Sequence, residues 1–265
     1  MSFFIPAIIS SALISLLVSL YGPFVVNRKT SLMGESISHA LIPGVSLGIF
    51  FGGFKFSSIF LGAFAFLIIY SLLFNLFRRK FSHVEDSLFA VFQVGLLSLG
   101  SILMFQLDLN LNFTHILLGN MFSVSYEDLV WISLIAMLLL VSFFALESQL
   151  LSYQFDSAFY KAKLNKDALI KFFFDISLGV VLILSLQSLG ALLSLGLLIM
   201  PSLISMQFAK SIKQVYGVSF LISFVCCLLG LLISYETGWP VGPAIMILVF
   251  SLFIIFSALF WKRKL

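Results

Sequence analysis

The sequence predicts an all-α fold: a polytopic transmembrane bundle of eight or nine helices, with the N-terminus outside and the C-terminus cytoplasmic. Three observations predict it. The 265 residues are 61% hydrophobic and only 10% charged, whereas a soluble domain carries about 25% charged residues. Mean hydropathy is +1.17, more apolar surface than a water-facing fold can hide. The apolar residues fall into runs near the roughly 20 residues that cross a bilayer. Residues 1–265 are therefore expected to form one transmembrane domain, with no room for an extramembrane domain. The isoelectric point near 9.1 does not signal nucleic acid, because the basic residues sit in short clusters at the ends of apolar runs, the pattern of topogenic charge.

The first run, 3–26, is followed by Asn27-Arg28-Lys29. A signal peptide carries its charge before the apolar core, so this run reads as a spanning helix. The next runs are 35–52, 56–77 and 87–106. The fifth helix is expected at about 128–146, leaving 107–127 as an outer loop with a short amphipathic or re-entrant piece. After a long connection come 168–188, 190–209, 215–235 and 241–260. With the N-terminus outside, every Lys and Arg except Lys55 falls on the cytoplasmic side, a strong positive-inside bias. Cys226 and Cys227 are adjacent, lack CxxC spacing and read as small core residues.

The polar residues inside this oily chain carry the functional information. Glu35 and His39 stand four apart, one turn of helix and therefore one face. Ionisable groups within a span need partners. Carboxylate with imidazole suits zinc, manganese or ferrous iron, and a transport path needs fewer ligands than the four of a closed structural site. The alternative is that Glu35 decorates a helix N-terminus while His39 hydrogen-bonds within the bundle. Pro43-Gly44 follows at once and predicts a break or kink in that helix. Asp108, Asn110, Asn112, His115 and Asn120 populate the outer loop. His83 lies at the inner surface, and Asp86 reads as an N-cap. Lys171 and Asp175 are another one-turn pair, with Asp175 a secondary candidate for a path. Gly190 and Pro201 bracket the seventh helix, and Trp239-Pro240 marks an outer interfacial turn. Asp156 is placed to cap a short cytoplasmic helix with Phe155, Phe159 and Tyr160 on its apolar side. No P-loop, H-E-x-x-H or G-x-S-x-G occurs, so nothing here marks an ATPase, metalloprotease or lipase.

Leu32-Met-Gly-Glu-Ser-Ile-Ser-His-Ala-Leu-Ile-Pro-Gly44 resembles the M-G-D-A-x-S-H-A-x-x-P-G signature of the membrane permease subunits of bacterial ABC transporters that import zinc, manganese or iron. Asp86-Ser-Leu-Phe, His115-Ile-Leu-Leu-Gly-Asn120, Phe155-Asp156, Gln187-Ser-Leu-Gly190 running to Pro201, and Ser234-Tyr235 to Gly242 agree in order and spacing, so the resemblance covers nearly the whole chain. Two departures stand out. The family usually has Asp where Glu35 stands, and it often has a glycine near Lys163 that is absent here.

The resemblance implies a non-enzymatic subunit of a bacterial cytoplasmic-membrane importer. It would hold no permanent cofactor and carry a divalent ion as cargo, with Glu35 and His39 as transient metal-path residues. It implies a permease homodimer, a separate ATP-binding-cassette ATPase and an extracytoplasmic metal-binding protein. The segment near 155–168 would couple to that ATPase through Phe155, Asp156, Phe159, Lys161 and Lys163. The alternative reading is an ion-coupled secondary transporter using Glu35 and Asp175.

Overall fold

In hydrocarbon every backbone amide and carbonyl must be satisfied within the chain, so long apolar runs become helices. The computed structural model describes residues 4–27, 31–81, 84–107, 118–155 and 167–260. The described residues form nine α-helices: α1 (Phe4–Asn27), α2 (Ser31–Gly52), α3 (Phe56–Lys80), α4 (Glu85–Gln106), α5 (Tyr126–Phe155), α6 (Asp167–Leu189), α7 (Ala191–Met206), α8 (Ile212–Thr237) and α9 (Val241–Phe260). A 3-10 turn, Met121–Ser123, precedes α5 and is capped by the Asn120 side chain, which accepts from the Phe122 amide.

Seven of these helices (α1, α3, α4, α5, α6, α8 and α9) are long and apolar enough to cross a membrane. α2 is not among them, because Glu35, His39 and its serines and glycines dilute its hydropathy. It is nonetheless buried along most of its length. Its surroundings are protein rather than lipid, so its surface need not be oily.

Three boundaries differ from expectation. α2 runs unbroken through Pro43-Gly44. Proline at 43 removes the amide that would bond the His39 carbonyl, but close packing by α3 and α4 holds the helix together. Pro201 lies inside α7 rather than at its end. α5 starts two residues earlier and ends nine residues later than 128–146, because Leu, Glu and Gln beyond 146 are good helix formers. Its start is fixed by a capping box: the Ser125 amide donates to Asp128 Oδ2 and the Asp128 amide to Ser125 Oγ, at 2.9 and 3.1 Å.

The chain divides into two compact units. One draws on Met1–Val26, Asn110–Ser133 and Leu184–Leu265. Here α7, α8 and α9 pack on one another, and Gly22 brings α1 against the Leu198 carbonyl of α7. α8 ends in Gly238, whose φ of 73° makes a left-handed cap, and Ser234 Oγ donates to the Trp239 carbonyl at 2.6 Å to close the turn into α9. Cys226 and Cys227 are buried free thiols of this unit, as their adjacency within an apolar run suggested.

The other unit draws on Asn27–Leu109 and Leu134–Ile183. α2 is its centre, packed against α3 and α4. The α2–α3 pair is antiparallel and close: Gly44 faces Gly62, Gly48 faces Ser58 and Ser36 faces Tyr70. α2 and α4 run parallel, with Glu35 opposite Gln93 and Ile42-Pro43 opposite Gly100. Between α3 and α4 lies an aromatic seam in which Phe74 stacks on Phe89, ring centroids 4.5 Å apart, and meets Phe92 edge-on.

Candidate functional site

Polar groups of the second unit are concentrated on and around α2. The serines of this helix are satisfied locally: Ser38 Oγ donates to the Gly34 carbonyl and Ser46 Oγ to the Ile42 carbonyl, each one turn back. Ser36 instead accepts from the Tyr70 hydroxyl of α3 at 3.0 Å. What remains is the acid–imidazole pair.

Glu35 is half-buried and accepts from Gln93 Nε2 of α4 at 2.8 Å. A carboxylate only accepts, so the amide nitrogen must face it. His39 is 5% exposed, and its Nδ1 has no hydrogen-bond partner. The two side chains interact electrostatically. The structure thus places both sequence-predicted residues on one enclosed helix. His39 Nδ1 makes no hydrogen bond within the bundle. An unpartnered buried nitrogen of this kind is suited to receive a ligand. Proline at 43 adds to this, because the carbonyl it leaves without its helical amide belongs to His39.

Among the described residues no three His, Cys, Asp or Glu side chains come together. The pair therefore forms no closed metal site, and Asp175 does not join it as a third member. Asp175 lies on α6, 7% exposed, within electrostatic reach of Tyr70. Its neighbour one turn back, Lys171, reaches Glu85 of α4 at 3.5 Å, and Glu85 also pairs with Arg78 of α3 at 2.8 Å. These ion pairs tie the ends of three helices together. Glu85 and Asp86 lie in the first turn of α4, and Val84 rather than Asp86 is the cap residue.

Asp156, Phe159, Lys161 and Lys163 lie outside the described residues, as do His83, Asp108, Asn110, Asn112 and His115. Phe155 is the last residue of α5. Sequence reasoning did not single out Gln93. An amide in the middle of an apolar run was the available signal, since polar side chains in a span are costly unless partnered.

The first unit contains a cavity of about 460 Å³ lined by Leu118, Asn120, Phe122, Tyr235 and Trp239 among others. Among the described residues it is lined by no carboxylate or imidazole. Beside it the chain at Gly119 (φ 71°) passes so close to the Leu189–Gly190 backbone that a side chain would not fit.

Comparison with known proteins extends over nearly the whole chain. The profile of the ABC 3 transport family matches residues 1–260. The manganese import system permease protein ScaB of Streptococcus gordonii is 30% identical over 266 residues, covering 97% of this chain and 93% of that protein. The chelated iron transport system membrane protein YfeD of Yersinia pestis is 26% identical, covering 94% of this chain and 82% of that protein. Among solved structures, PsaBC from Streptococcus pneumoniae in complex with Fab superposes with a TM-score of 0.86 at 27% identity, covering 97% of this chain and 91% of that one.

Proposed function

Because the chain belongs to the ABC 3 transport family, we propose that it moves a divalent transition metal, zinc or manganese, into the bacterial cytoplasm. It is a multi-pass membrane permease subunit, and ATP hydrolysis belongs to a separate subunit of the transporter. Relatives named for manganese and for chelated iron support a metal cargo. On this reading the ion is cargo rather than a resident cofactor, the permease pairs with a second copy, and an extracytoplasmic binding protein delivers the ion. The N-terminus lies outside and the C-terminus inside.

The observation that carries the reading is the Glu35–His39 pair on a helix enclosed by protein, with His39 Nδ1 unpartnered. A bare divalent ion does not enter hydrocarbon, because the cost of stripping its water is prohibitive. Carboxylate oxygen and imidazole nitrogen replace part of that shell. Two protein ligands hold an ion weakly enough to release it. The segment 155–168, with Asp156, Phe159, Lys161 and Lys163, then transmits the ATPase cycle to the permease.

In a strain lacking its own chain, Glu35→Ala and His39→Ala are each expected to abolish growth at limiting metal while inserting into the membrane at the wild-type level. Supplying zinc, manganese and iron separately to the wild-type strain identifies the cargo. Normal uptake by both variants would refute the assignment of the path.

A further inference from the structure

Gln93 has no part in the reading above, yet it makes the one described hydrogen bond between side chains of α2 and α4. We infer that Gln93 is a positioning residue for the transported ion: it clamps one oxygen of Glu35 so that the other is presented alongside His39. The inference rests on the proposed function and deepens it.

The geometry supports the role in three steps. Gln93 is set on the face of α4 that meets α2, since Gly100, two turns on, packs against Ile42 and Pro43. Its Nε2–H donates to Glu35 Oε1 at 2.8 Å, a charge-assisted bond. Glutamate has one more rotatable bond than the aspartate of the resembling signature, so its carboxylate scatters more widely unless something holds it. The amide supplies that restraint. It also occupies a lone pair of Oε1, which disfavours chelation through both oxygens and leaves Oε2 as a single-oxygen ligand beside the unpartnered His39 Nδ1. Groups that orient a metal's ligands in this way usually change affinity by about 10- to 100-fold when removed.

The test uses the whole transporter in proteoliposomes, with zinc and manganese chlorides as the probes. Gln93→Met keeps the length and volume of the side chain and deletes the donor. The expected result is a rise of about 10-fold or more in the apparent KM for the transported metal, with Vmax, membrane level and thermal unfolding near wild type. Glu35→Asp shortens the arm beyond the reach of the amide, so adding Gln93→Met to Glu35→Asp is expected to change KM no further. An unchanged KM in Gln93→Met overturns the inference. So does a full additional loss in the Glu35→Asp background, which would assign Gln93 a role independent of Glu35. If Glu35→Ala and His39→Ala abolish transport while Gln93→Met leaves KM intact, this inference alone fails. If all of them transport normally, the functional reading fails with it.

Discussion

Single side chains settle how α2 tolerates its polar cargo of residues. Ser38 and Ser46 turn back onto their own helix, Ser36 is taken by Tyr70, Glu35 by Gln93, and His39 Nδ1 is left over. Tyr70→Phe removes a donor to a buried hydroxyl without changing shape. It is expected to lower stability by about 1 kcal/mol, within the range for hydrogen bonds between membrane helices, measured by unfolding in detergent. At this scale the sequence displayed Glu35 and His39, because charge and imidazole in an apolar run stand out against composition. It did not display Gln93 as the partner of Glu35 or Tyr70 as the partner of Ser36. Those contacts cross from one helix to another, and spacing within one helix carries no information about register between two. Glu85 shows the same limit. The sequence offered Lys171 with Asp175 as a pair one turn apart, but the ion pair seen for Lys171 reaches across to Glu85, and Arg78 does the same.

Helices were the most legible level, since a run of apolar residues in lipid has few alternatives. Two of the three differences came from proline. Pro43 was expected to break or kink α2 and Pro201 to bound α7; the break does not occur, and Pro201 sits inside its helix. A missing amide ends a helix in water but only loosens one that is gripped on its sides. The grip on α2 is glycine-made: a Cβ on Gly62 would collide with the Gly44 carbonyl oxygen and with the backbone of Gly48. Gly62→Val is therefore expected to cost about 1–3 kcal/mol through overpacking. Gly95 of α4 faces open space, so Gly95→Ala is expected to be neutral or to stabilise by up to about 1 kcal/mol through helix propensity. Thermal unfolding of the two variants side by side in the same detergent checks the contrast.

For the whole molecule, the exposed apolar side chains of α5, among them Val130, Leu134, Met137, Leu138, Val141 and Phe144, make a continuous oily surface. Such a surface is at home in lipid or against another membrane helix. Coupling to the ATPase belongs at this scale, because it depends on an assembly. Reversing charge at Lys161 and Lys163 together is expected to cut recovery of the ATPase subunit on co-purification several-fold, while metal binding by the permease changes little. Unchanged recovery would remove the 155–168 segment from the coupling role. The glycine contacts of α2 have a mechanical consequence for any transport cycle. Where backbone touches backbone, no side chain remains to re-rotamer and absorb a sliding motion. On the function proposed above, Glu35 and His39 would ride together on a block of α2 and α3 joined through Gly44, Gly48 and Gly62, and the ion would be handed on by displacing that block rather than by bending α2.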